Sequence, residues 1–338
     1  MKDIKTYTAQ NNQGTLLNAN ENPENLNRKI VKEISEAIAE IDFNRYPDDD
    51  MSELKKAYGE YISLSPDQII VGNGSDEMLG LLINLTLGEG KKLYTMEQDF
   101  SMYDYYASMQ GAEIVRFPIT ADDMFDVDEF IRFGKKNDID MIIFSNPNNP
   151  TGRQIKNGSI IKILESFQDI KVVVDEAYAE FCNVNMLPYL DLYPNLLITR
   201  TLSKAYGLAG VRCGFLLGNK ELIKEIAPYK VPYNVNVLTQ LTALITLQYK
   251  DLMYAGIERI KSLRDTMYME YLMNKPQRVT LYPSAANYFY GVCEDKKKLL
   301  QVMVENNIVI RNFDGNSFRI SVGNEEDNKR VIELLCSL

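Results

Sequence analysis

The chain has 338 residues, of which 45% are hydrophobic and 25% charged, and its formal net charge is −10. This mixture excludes disorder, collagen and coiled coil as overall descriptions, and the acidic balance argues against nucleic acid and anionic membrane surfaces as partners. Histidine is absent, so Ser-His-Asp triads, Cys-His dyads and HExxH zinc sites are excluded, and a general base must be Lys, Asp, Glu, Tyr or Cys.

The four cysteines, Cys182, Cys213, Cys293 and Cys336, form no CxxC. They read as reduced, mostly buried thiols, with no metal site expected. The N-terminal stretch MKDIKTYTAQNNQG has no apolar core, so no signal peptide is expected. No apolar run is long enough to span a membrane, and a cytoplasmic protein is the expectation. The length predicts about two domains.

In chain order, residues 28–41 predict an amphipathic helix with no strand partner nearby. The segment 1–45 is therefore expected to lie on the smaller domain. QIIV (68–71) reads as a strand ending at Gly72, and 76–87 as a helix that stops at Gly88. Further strands are predicted at 92–95, 113–117, 141–145 (MIIFS), 171–174 (KVVV), 196–199 (LLIT) and 214–217, with helices at 101–110 and 155–167 between them. Several of these strands are apolar almost throughout, as strands buried on both faces are. The alternation predicts βαβ units: an α/β large domain, 46–235, with a mostly parallel central sheet covered by helices. Helical periodicity then runs over 237–273, followed by VTLYP (279–283), NYFYG (287–291), a helix near 295–306, IVIR (308–311), FRISVG (318–323) and a final helix from about 325 that Asn324 would cap. This predicts a smaller α+β domain, 236–338.

The segment Ser145-Asn146-Pro147-Asn148-Asn149-Pro150-Thr151-Gly152 directly follows the strand MIIF. Its prolines fix φ and hold the Asn side chains at the carboxyl end of a strand, where open α/β sheets bind ligands. Asp175-Glu176-Ala177-Tyr178 follows KVVV. A carboxylate there is costly without a partner, and a cationic nitrogen would be a good one. Thr201-Leu202-Ser203-Lys204 follows LLIT. Burial and the nearby Arg212 would disfavour the charge on Lys204, which activates an amine for Schiff-base chemistry. Gly207, Gly210 and Gly214 suggest backbone running close to something bulky. Gly72-Asn73-Gly74-Ser75-Asp76 links a strand to a helix whose N-terminus is a natural phosphate site.

Each segment alone has an ordinary reading: a turn, an exposed acid, a solvated lysine, a helix start. Together, in this order, they supply what pyridoxal 5′-phosphate needs: a phosphate cradle, a partner for its cationic ring nitrogen, a partner for its phenolic oxygen, and a lysine for its aldehyde.

At these residues the chain resembles the fold-type I pyridoxal-phosphate-dependent aminotransferases of classes I and II. NPNNPTG, DEAY and SKAYGLAGVRCG carry the resemblance, which extends over almost the whole chain. LNANENP (17–23), NRYP (44–47) and RTLSKAYGLAG point within it to the histidinol-phosphate branch. The resemblance implies that Lys204 bonds the cofactor and then moves the substrate proton. Asp175 would pair with the ring nitrogen, and Tyr178 and Asn149 would bond the phenolic oxygen. Gly74, Ser75, Asp76, Ser203, Arg212 and Thr201 would surround the phosphate. Phe100 would stack on the ring, where relatives usually carry Tyr. Tyr46 would reach the phosphate of a neighbouring subunit, implying a homodimer with shared sites. Asn20, Arg311 and Arg319 would contact substrate, Arg319 gripping its anionic group. The implied reaction is ping-pong transamination between L-histidinol phosphate and 2-oxoglutarate. The rivals within the fold are aminotransferases of aromatic or other amino acids and a threonine-phosphate decarboxylase.

Overall fold

The structure is a computed structural model and describes residues 13–338. The N-terminal stretch read against a signal peptide falls almost wholly outside the described residues. The chain opens with β1 (Thr15–Leu17), α1 (Arg28–Ile38) and α2 (Ser52–Ile62). Alternation then begins: β2 (Ile69–Asn73), α3 (Ser75–Thr86), β3 (Lys92–Met96), α4 (Met102–Met109), β4 (Glu113–Phe117), α5 (Val127–Lys136) and β5 (Met141–Ser145). It continues with α6 (Asn157–Ser166), β6 (Lys171–Asp175), β7 (Leu196–Thr201), β8 (Cys213–Leu217) and α7 (Lys220–Ile226). Two helices follow, α8 (Val237–Gln248) and α9 (Lys250–Asn274). The last elements are β9 (Val279–Leu281), β10 (Tyr288–Cys293), α10 (Lys296–Glu305), β11 (Ile308–Asn312), β12 (Ser317–Ser321) and α11 (Glu325–Cys336).

Seven strands form the central sheet in the order β2-β8-β7-β6-β5-β3-β4. The neighbours from β7 to β4 are parallel, while β8 runs antiparallel to both β7 and β2. Strands β5, β6 and β7 are buried at almost every position, because helices cover both faces. The second sheet has the order β1-β11-β12-β10-β9 and is antiparallel except for the β1–β11 pair.

The periodicity over 237–273 breaks at Tyr249, whose backbone (φ −98°, ψ 50°) ends α8 and precedes α9. Helix α8 and the first half of α9, through Ile260, share one core with the large sheet, whereas Met267 joins the core of the five-stranded sheet. The N-terminal segment divides in the same way: β1 extends the small sheet, while α1 packs on α8 and its Ile30 enters the large core. Asn324 caps α11 as its sequence suggests, accepting from Asp327 N–H at 2.9 Å.

Candidate active site

Because β5, β6 and β7 are parallel neighbours, their carboxyl ends share one edge of the sheet. Strand β2 ends at that edge too, and the antiparallel β8 begins there, just after Arg212.

The loop after β5 is tied at each Asn. Asn146 bonds the backbone of Ile155 in both directions, and Asn148 donates to Gln98 O at 3.0 Å while accepting from Thr151 Oγ1 at 2.6 Å. Asn149 N–H donates to Ser145 Oγ at 2.8 Å, and its buried side chain accepts through Oδ1 from Arg319 Nη1.

At the end of β6, Asp175 is 4% exposed. It accepts from Tyr103 Oη at 2.8 Å, Thr199 Oγ1 at 2.9 Å and Ala177 N–H at 3.2 Å. Burial pushes its carboxyl up to about 6 against the pull of these donors. Strand alternation turns the next residue to the other face: Glu176 accepts from Arg200 Nη2 at 2.6 Å, and Arg200 also reaches Glu180 at 3.2 Å. This buried network pins the turn that carries Tyr178.

Beyond β7, Lys204 Nζ donates to Ala19 O at 2.7 Å. Burial lowers its amine to about 8; Arg319 and then Arg212 press the same way, while Glu21 and Asp76 oppose. The cation expected to act on Lys204 was Arg212, but Arg319 acts more strongly.

The loop between β2 and α3 meets Arg212. Asp76 accepts from Arg212 Nη2 at 2.9 Å, Ser203 Oγ lies 3.4 Å from Arg212 Nη1, and Thr201 Oγ1 lies 2.9 Å from Ser203 Oγ. Gly74 has φ +79°, and a Cβ there would fall 2.6 Å from the Arg212 guanidinium. A Cβ on Gly214 would fall 2.1 Å from Ser75 N, so this glycine lets β8 press against the loop. Of the other two glycines, Gly207 has φ +68° with Asn22 in ordinary contact at 3.5 Å, and among the described residues nothing lies within 4 Å of a Cβ at Gly210.

The small sheet closes the site. Arg319 on β12 is 7% exposed, donates to Asn18 O at 2.9 Å and lies over the Tyr288 ring at 5.1 Å. Arg311 on β11 pairs directly with it across the strands, and both guanidinium groups lie near Phe313. Asn20 Nδ2 donates to Tyr178 Oη at 2.9 Å. Phe100 stands edge-on to Tyr103 at 5.6 Å. Tyr46 is apart from the others: it is 81% exposed and stacks on Tyr233 at 4.7 Å.

Sequence reasoning missed the residues that hold these groups. Thr199 is the cross-strand partner of Asp175 in the β6–β7 register, and Tyr103 reaches it from α4. Asp99 accepts from Ser145 N–H at 3.1 Å and from Ser145 Oγ, and burial pushes its carboxyl up to about 8. Among the described residues there is no cluster of three or more potential metal ligands, and no helix is long and apolar enough to cross a membrane. Cys213 and Cys293 are buried, Cys182 partly so, and Cys336 is exposed.

Residues 12–335 match the family model described as aminotransferase class I and II. The chain is similar to the histidinol-phosphate aminotransferase of Clostridium novyi (strain NT), at 37% identity over 340 residues that cover 99% of this chain and 95% of that one. It superposes on a solved histidinol-phosphate aminotransferase from Clostridium acetobutylicum with a TM-score of 0.85 at 25% identity, covering 96% of this chain and 98% of the other. A second such enzyme, from Sinorhizobium meliloti in complex with pyridoxal-5′-phosphate, gives a TM-score of 0.87 at 22% identity, covering 96% and 90%.

Proposed function

The chain belongs to the class I and II aminotransferases, and from that premise we propose that it uses pyridoxal 5′-phosphate to move an amino group between L-histidinol phosphate and 2-oxoglutarate. The donor set fits the cofactor. Gly74 leaves the room a phosphate cradle needs, Lys204 offers a largely buried amine, and Asp175 offers a carboxylate with neutral partners only among the described residues. When bound, pyridoxal 5′-phosphate supplies an aldehyde for an amine and a ring that accepts the electron pair left by a departing Cα proton.

The protein does the rest. Lys204 holds the cofactor and carries the substrate proton, and its pKa near 8 keeps a fraction of the amine neutral at pH 7. Asp175 keeps the ring nitrogen charged. Asn149 and Tyr178 would bind the phenolic oxygen, and Phe100 would offer its ring to the cofactor's. The N–H groups of Ser75 and Asp76 at the start of α3, with Gly74, Thr201, Ser203 and Arg212, receive the phosphate. Arg311 and Arg319 bind the substrate anion.

The observation that carries the choice of substrate is the Arg311–Arg319 pair. Directly opposed in register, their side chains leave the same face of the small sheet, and two guanidinium forks there suit a carboxylate or a phosphate. One such site can take the carboxylate of glutamate and then the phosphate of histidinol phosphate. The exposed Phe43, Tyr46, Tyr229, Val231 and Tyr233 support a homodimer in which Tyr46 completes a partner's phosphate site.

A half-reaction screen tests the proposal. Glutamate, histidinol phosphate, phenylalanine and threonine phosphate are added separately to the loaded protein while the cofactor's visible band is followed. Conversion by glutamate and by micromolar histidinol phosphate is expected. A response to aromatic amino acids alone, or decarboxylation of threonine phosphate, would overturn the substrate and leave the family intact.

A further inference from the structure

A tyrosine hydroxyl has one hydrogen to give, and its neighbours decide where that hydrogen points. For Tyr178 the deciding neighbour is Asn20. Residue 20 is 1% exposed and sits in the left-handed region at φ +55°, which Asn tolerates better than most residues. Its surroundings fix it from three sides. Its N–H donates to Ser321 Oγ at 2.9 Å, its carbonyl accepts from Asn287 Nδ2 at 3.0 Å, and Ser321 Oγ lies 3.2 Å from its Oδ1. The serine hydroxyl already accepts from the backbone N–H, so its own hydrogen goes to Oδ1. The amide is thereby oriented: oxygen toward Ser321, and Nδ2, a donor only, toward Tyr178 Oη at 2.9 Å. No acceptor among the described residues takes the Tyr178 hydrogen.

Resting on the cofactor reading above, we propose that Asn20 is a positioning residue: it fills the acceptor side of Tyr178 and turns the phenol O–H into the site as a donor to the cofactor's phenolic oxygen. The charged groups acting on Tyr178 are Arg319 from β12, Asp175 from β6 and Asp76 from α3, and the Tyr288 ring of β10 meets it edge-on at 5.0 Å. Burial keeps the phenol above its ordinary value although Arg319 and Asn20 pull it down, so Tyr178 stays protonated at neutral pH.

The test titrates the visible band of the protein loaded with pyridoxal 5′-phosphate from about pH 5 to 10. It compares wild type, Asn20→Gly and Asn20→Asp, each alone and combined with Tyr178→Phe. Glycine carries no left-handed penalty, and Asp keeps the shape while presenting an acceptor that would draw the tyrosine hydrogen away. A donated hydrogen bond favours the deprotonated chromophore, whose phenolic oxygen carries more negative charge. The midpoint is therefore expected to rise by about one pH unit in Asn20→Gly and further in Asn20→Asp. In the Tyr178→Phe background Asn20→Gly should not move it, and Asn20→Asp should retain only the part due to its added charge. With glutamate, kcat should fall while KM holds. Equal shifts with and without the Tyr178 hydroxyl, or a raised KM with kcat intact, overturn the positioning role. A wild-type protein that shows no pH-dependent band after loading overturns the cofactor reading itself, and does so before any substitution is compared.

Discussion

Asp175 and Glu176 follow one another at the end of β6, and both are deeply buried. Glu176 faces the core and holds a guanidinium of its own chain, Arg200, within 2.6 Å. Asp175 faces the site, and its partners among the described residues are a phenol, a threonine hydroxyl and a backbone N–H, all neutral. Burying a carboxylate is costly unless a cation or good donors compensate. Glu176 is compensated within the fold. Asp175 has hydrogen bonds but no cation among the described residues, and the proposed ring nitrogen would supply one. The same strand end thus contains a charge neutralised within the fold and one held by neutral donors, and the proposed function gives the second its role.

Three substitutions test that distinction, in order of expected effect. Lys204→Ala should reduce transamination to the uncatalysed background while the thermal transition stays cooperative; retained turnover would remove the site from this edge of the sheet. Arg200→Met leaves Glu176 and Glu180 buried without their cation and should cost about 3–5 kcal/mol in urea denaturation, with the cofactor's band position unchanged in the folded fraction. Asp175→Asn should do the reverse: the stability holds or rises, and turnover falls by about 10²–10³-fold because the ring nitrogen loses its charge partner. If Asp175→Asn unfolds the chain while Arg200→Met slows only the reaction, the two acids have been assigned the wrong way round.

A fourth substitution, at Asp99, is read as a pH dependence. Its carboxyl is raised to about 8 when folded, against ~3.9 in an unfolded chain, so the folded state binds the extra proton between these values. The stability this contributes is complete below the unfolded value and lost as pH rises through about 8. Asp99→Asn does not titrate. Its melting temperature should therefore gain on the wild type as pH rises from about 4 to about 8. A gap that stays flat across that range would mean Asp99 is ionised in the fold.

Much of this site was legible in the chain because its chemistry sits at strand ends. An apolar strand, then NPNNPTG, DEAY or SK, places an Asn, an acid and a lysine at one edge once parallel pairing is inferred, and β5, β6 and β7 are such neighbours. The partners were less legible, since tertiary packing chooses them. Nothing local connects Tyr103 with Asp175, 72 residues away, or Asn20 with Tyr178. Thr199 could have been found, because strand alternation puts it with Thr201 on the face opposite Arg200. Periodicity also ran straight through Tyr249, since both helices beside it keep apolar faces and only the backbone records the break.

The opposed Arg311 and Arg319 have a practical consequence. If both substrates dock their anionic groups at this pair, as proposed, each turnover exchanges one anion for another at the same two side chains. Sulfate and inorganic phosphate should compete with both substrates, and apparent affinities will depend on the buffer salt as much as on the amino donor.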